Sequence, residues 1–445
     1  MRDAREQHQQ QRPTGPSRRA VGLGALGAAA TTGLAACGQG GGSGDGPVRL
    51  RFTWWGSDTR HQYTQEIIDA FNAENPDVVV EPEFTEWSGY WDRLATTVAA
   101  NDAPDVMQMD AAYLRSYADR GALLDLSQEE SLDTGDIEES DLALGESEGG
   151  LYGIVQGVVP LAVVTNADLL EQAGVPLPDD TAWTWEEYAA AGQAVTQAGL
   201  PNVYGIQTEG VQGPPMENWA RQRGESLFTD SGDVGLSPDT LAEFWEYQLQ
   251  LAESGAGTPV TLTIERNSAT ASLEQSGTAT NTVAFAPWWS TQLTALTNAS
   301  GQRLVLLRPP AQTPGGNPGL YYKASMYWSV SARSRNPEAA VRFVNYLATS
   351  DTAADLMLTE RGIPASARIR ERITPNLAET DQAAVAYVES IADVVEEAPP
   401  IPPAGGNSSG EILTRIGADV LFERQEPAAA AQAYVDELQG QIDSA

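Results

Sequence analysis

Cysteine is almost absent from this 445-residue chain: Cys37 is the only one, and His8 and His61 are the only histidines. One thiol rules out an internal disulfide, and so few soft ligands leave no basis for a zinc or similar metal site, so neither metal nor cofactor is expected. Lysine is just as scarce. Lys323 stands alone, and the formal net charge is -35 at pH 7. A chain this acidic offers no basic patch for nucleic acid or for an anionic membrane surface. With the single lysine followed by Ala324, no phosphate-binding G-K-[ST] loop can be written. No repeat of 20 to 50 residues is present, which excludes solenoids and propellers. Only one apolar run stands out, Ala20 to Ala36, and it is short, rich in Gly and Ala, and weakly apolar for a membrane span.

That run follows Arg18 and Arg19 and leads directly to Cys37, after which Gly38 to Gly46 read as a flexible tether. Leu34-Ala35-Ala36-Cys37 resembles a bacterial lipobox, which implies that residues 1–37 hold an export signal, that Cys37 is lipidated and becomes the first mature residue, and that 38–47 link it to the folded part. Ser17-Arg18-Arg19 resembles the start of a twin-arginine signal, although Ala20, Val21 and Gly22 complete that motif poorly. Twin-arginine and general export both stay open. The competing reading of Cys37, a buried thiol on an N-terminal helix, would need packing residues after it, where the chain has glycine.

Beyond Pro47, eleven Trp and fourteen Tyr outnumber eight Phe. Indole and phenol pair an apolar face with a polar edge, which suits a wet cleft as well as a core. "VRLRFTWWGSDTR" alternates as a strand and breaks at Gly56, after which Tyr63, Ile67, Ala70 and Phe71 recur at helical spacing. "DVVVEPEF" and Asp105 to Met109 read as further strands, with helices between and after them. This alternation predicts an α/β lobe with a largely parallel sheet, whose ligand sites lie at the carboxyl ends of strands. Trp54, Trp55, Gln108 and Asp110 sit at such ends. Thr184 with Glu187 three residues on reads as a capping box, Thr282 to Trp289 as a strand, and "NPEAAVRFVNYLATS" as a helix burying Ala340, Phe343, Val344 and Leu347.

The ordered stretches "TWWGSDTR", "IIDAFNAENPDVVVE", "APDVMQMDAAYLRSYADRGALLDL", "VVTNADLLEQAGV", "TWEEYAAAG", "AFAPWWSTQL", "MYWSVSARSRNPEAAVRFVNYL" and "RGIPAS" resemble the extracellular solute-binding proteins of bacterial ABC importers, in particular the carbohydrate-binding, maltose-binding-protein-like group. The resemblance implies a two-lobe periplasmic-binding-protein-like fold with a hinge and an interlobe ligand cleft. Residues 48–166 plus 324–370 would form lobe 1, and 167–323 plus 371–445 lobe 2. It implies a monomer without enzymatic activity, lipid-anchored on the extracytoplasmic face, that captures a mono- or oligosaccharide and delivers it to permease subunits driven by a partner ATPase.

A saccharide presents C–H faces and a rim of hydroxyls, so its site needs aromatic platforms and planar polar groups. Trp54 and Trp55 point to opposite sides of their strand, so one of them is expected in the core. Asp58 and Arg60 match the family's polar sugar contacts, with a surface pair as the ordinary alternative. Asp110 matches an acidic ligand residue, Gln108 lies on the same side, and the ordinary role of Asp110 is a helix N-cap. Trp288 or Trp289 matches a stacking aromatic. Trp219 competes with core packing, Arg361 with an ion pair, and among Tyr322, Tyr327 and Trp328 only some can face a cleft. The tail Glu396 to Ile412 lacks the aromatic with which maltose-binding proteins stack a further ring, leaving Asn407 and Ser408 as polar contacts. The rival from another class is a secreted, lipid-anchored glycoside hydrolase using Asp58, Glu86 or Asp110, whose carboxyl separation no sequence spacing reveals. A third is an anchored adhesion or scaffold protein. A nucleophilic hydrolase is not expected, because His61 is the only histidine beyond the leader.

Overall fold

The computed structural model of the protein describes residues 46–267 and 272–445. Cys37, the lipobox and most of the tether lie outside the described residues. Strand β1 (Val48–Trp55) is followed by helix α1 (Asp58–Glu74), which opens on Ser57 accepting from the Arg60 amide and buries Tyr63, Ile67 and Phe71. Then come β2 (Val78–Thr85), α2 (Trp87–Ala99), β3 (Val106–Met109) and α3 (Ala111–Asp119). β1 lies parallel between β2 and β3. The strand Tyr327–Val330 adds antiparallel to β3 and Ile154–Val155 closes the far edge, giving a five-stranded sheet. The helix Pro337–Thr349 packs on it through Ala340, Phe343, Val344 and Leu347, as its 3.6-residue spacing predicts.

A second, four-stranded sheet runs in the order Leu304–Leu307, Leu161–Asn166, Val283–Trp289, Tyr204–Ile206. The helix Trp185–Gln197 beside it begins with the Thr184–Glu187 capping box. Two sheets with separate cores make two lobes, and the mixed α/β architecture is the expected one.

Two expected crossing points move. Leu161–Asn166 pairs antiparallel with both Val283–Trp289 and Leu304–Leu307, so it is a strand of lobe 2, and the chain crosses before Leu161, not at Asn166. The apolar run from Leu151 hides this because it stays buried on both sides of the hinge. At the other end, Ile373 and Leu377 still belong to the core of lobe 1, so the return lies beyond 370. The helix Glu379–Ser390 makes it: Ala384, Val385 and Val388 pack on lobe 1, while Tyr387 packs with Leu161, Ala162 and Leu320 of lobe 2.

The hinge is a narrow ribbon. Gly157–Val158 pairs with Ile363–Pro364, and the Ser325 amide donates to the Gly157 carbonyl and that of Val159 to Lys323. A Cβ on Gly157 would lie 2.7 Å from backbone atoms of Gly362 and Ile363. Glycine is required there so that the strands can touch.

Candidate functional site

A cavity of about 660 Å³ is lined by Thr59 and Tyr63 of α1, by Leu356–Ile363, by hinge residues Val159, Lys323, Ser325 and Met326, and by Trp289, Thr291, Gln292 and Asp381. Both lobes and two hinge segments thus contribute to one wall. That volume is in the range of small-molecule sites.

Its polar groups are of two kinds. Glu360 receives the Arg60 guanidinium at 2.9 Å and the Tyr63 hydroxyl, and Asp381 accepts from Thr294 at 2.6 Å. Arg361 is only 2% exposed. Its guanidinium lies 4.7 Å above Trp328 and 5.6 Å from the Tyr63 ring centre, and donates to Thr64 at 2.8 Å and weakly to Gln156. Burial pulls its pKa down to about 10, and burial pushes that of Tyr63 up to about 12. Lys323 donates to the Ala324 carbonyl at 3.1 Å and sits 5.7 Å from the centre of the Trp289 ring. An indole face beside hydroxyl, amide and charged groups is the equipment a polyhydroxylated ring needs.

The matching family model, bacterial extracellular solute-binding protein, covers residues 66–384. The chain belongs to the bacterial extracellular solute-binding family. An uncharacterized lipoprotein of Streptomyces antibioticus is 32% identical over 177 residues, covering 39% of this chain and 38% of that one. The chain thus matches well under half the length of this relative. Among solved structures, an extracellular solute-binding protein family 1 member from Alicyclobacillus acidocaldarius is 26% identical, with TM-score 0.75 over 90% of this chain and all of that one. A periplasmic oligogalacturonide-binding protein from Yersinia enterocolitica shares the fold at 22% identity, with TM-score 0.76 over 89% of this chain and 99% of that one. Two lobes of this solute-binding type are therefore shown.

The expected ligand residues divide. Trp289 and Arg361 line the cavity, and Arg60 braces it through Glu360. Arg361 is not the surface ion-pair residue considered above. Asp58 is exposed in the first turn of α1. Trp54 is a correction: it is fully buried, stacked on Phe52, and donates its indole N–H to His61 Nδ1 at 3.0 Å. Trp55, on the opposite side, is also buried, against Trp87, Tyr90 and Trp91. Gln108 is buried with its amide 3.4 Å from the Trp55 carbonyl, and Asp110 caps α3 by accepting from the Ala112 amide at 2.9 Å. Trp219 stacks on Tyr247 within the core of lobe 2, beneath Arg223. Trp288 donates to Thr278 at 3.0 Å in a separate apolar cluster. Tyr327 and Trp328 are core residues, and Tyr322 is tied to the Val388 carbonyl at 2.8 Å.

Reading by strand ends alone missed Thr59, Tyr63, Glu360 and Met326. Tyr63 could have been found, since it falls on the buried stripe of α1 in that helix's second turn. The spelling Gly145-x-Ser147-x-Gly149 lies on the hairpin Glu146–Ser147/Gly150–Leu151, not on the strand-to-helix turn that a nucleophile elbow requires. Among the described residues no group of three or more His, Cys, Asp or Glu is arranged to hold a metal ion, and no described helix is long and apolar enough to cross a membrane.

Proposed function

We propose that the protein captures a carbohydrate in the interlobe cavity outside the membrane and delivers it, by closure of the lobes, to the permease of an ABC importer powered by its own ATPase. The observation that carries this reading is a cavity built jointly by both lobes and the hinge, with the Trp289 indole at its wall. A ligand there touches both lobes at once only when they are closed, so binding shifts the population toward that state. The fold shared with the oligogalacturonide-binding protein supports the ligand class. The lipoprotein relative supports Cys37 as the lipid anchor, and the reading is of a monomer held on the outer face of the cell membrane.

The test is a thermal-shift screen against mono-, di- and trisaccharides and polyols. A sugar at about a hundred times its dissociation constant adds about 2.7 kcal/mol of stability. A flat screen across the whole panel contradicts the carbohydrate assignment. Family membership favours binding over hydrolysis. Release of chromophore from aryl glycosides would reverse that preference.

A further inference from the structure

Of 26 basic residues, the chain's only lysine and a fully buried arginine line the same interlobe cavity. We propose that this cavity takes an acidic carbohydrate, with the carboxylate of a uronic acid seated on Lys323 and favoured by the buried positive charge of Arg361 behind the wall; the inference rests on the carbohydrate reading above.

Both cations have donors to spare. An ammonium has three N–H donors and Lys323 uses one, on the Ala324 carbonyl. A guanidinium has five, and Arg361 spends two side-chain contacts on neutral groups, Thr64 and Gln156, while its Nε has no partner despite being buried. Neither residue makes an ion pair among the described residues, although the chain carries 61 Asp and Glu. A buried cation without a directly paired counter-ion is costly, and the faces of Trp328 and Tyr63 and the more distant charge of Glu360 offset only part of that cost.

The carboxylates in the wall cannot supply the missing charge. Glu360 is already paired with Arg60 and receives the Tyr63 hydroxyl, and Asp381 receives Thr294 and makes no ion pair with Lys323 or Arg361. Glu217 lies close enough to interact with the Lys323 charge, but its carboxyl is buried, receives the Tyr321 hydroxyl at 2.7 Å, and is pushed upward in pKa by that burial. What remains is the Lys323 ammonium, with two free donors beside the Trp289 ring and the buried charge of Arg361 behind it. A neutral hexose would accept hydrogen bonds there and leave the charge unmatched. A uronate supplies both the acceptors and the charge, and its ring can lie against Trp289. Net charge does not forbid this, because exposed acids more than about 8 Å away are largely screened at physiological salt.

The experiment is titration calorimetry of the full chain at pH 7 with glucuronate, galacturonate and their disaccharides, each paired with its neutral hexose counterpart and with the hexose 6-phosphate. The expected result is that one uronate series binds at least about tenfold tighter than both its neutral and its phosphorylated counterparts. Lys323→Gln should reduce that ratio by about tenfold, whereas Lys323→Arg should keep most of it. Two results overturn the proposal while leaving the carbohydrate reading intact. The first is neutral or phosphorylated sugar binding as tightly as uronate, and the second is a preference unchanged in Lys323→Gln. Binding of none of these and of no other sugar would remove both. Because Arg361→Ala is expected to unfold the hinge region, the lysine variants carry the test.

Discussion

Trp54 and Trp289 each sit at the end of a strand, yet they do opposite work. Trp54 is sealed between Phe52 and Phe84 with its N–H spent on His61. Trp54→Ala should therefore destabilise lobe 1 by about 3–5 kcal/mol, read as a lower denaturation midpoint with unchanged slope. Trp289→Ala removes a half-buried ring from the cavity wall and should weaken sugar binding about tenfold while moving the melting temperature little, as calorimetry and a thermal scan would separate. Glu209 makes a prediction for pH. It is buried in lobe 2 beside a small cavity of about 30 Å³, accepts from Gln207 at 2.7 Å, and burial raises its pKa to about 8. Between the unfolded value of roughly 4.3 and about 8 the folded state binds the extra proton, so stability falls as pH rises through that window. Glu209→Gln keeps the shape and removes the titration. The difference in melting temperature between variant and wild type should grow in the variant's favour from pH 5 to pH 8; a constant difference would contradict the assignment.

At the scale of elements, the hinge depends on backbone contact. Gly157→Ala puts a Cβ against the backbone of Gly362 and Ile363, which flexible side chains cannot relieve. It should cost several kcal/mol of stability and change ligand affinity together with it, as is typical of large single-site effects with a named steric cause. Regular elements were legible in the sequence where one face is apolar and the other polar. α1, the helix Pro337–Thr349 and the Thr184–Glu187 cap each carry their period or cap within a few residues. The hinge was not legible. Leu151 to Thr165 is apolar almost throughout, so periodicity gives no sign of which sheet Leu161–Asn166 joins, and pairing with Val283–Trp289 is a contact across more than a hundred residues. The site was legible only in part for the same reason. Strand ends bring Trp54, Trp55, Gln108 and Asp110 to the right edge, but which way each points depends on helices packed against the sheet. Glu360 and Tyr63 meet across nearly 300 residues, and no local pattern announces them.

At the scale of the molecule, two cores joined by a thin ribbon and one straddling helix make relative motion of the lobes the soft degree of freedom. The net charge of -35 favours solubility, while the single lysine and the buried Arg361 lie at the cavity where the lobes meet. A carbohydrate bound between the lobes should close them. Small-angle scattering of the protein, alone and saturated with whichever sugar gives the largest thermal shift, tests it most directly. The radius of gyration should fall with the sugar and stay unchanged with a sugar that gives no thermal shift. Superimposable curves at saturation would contradict it.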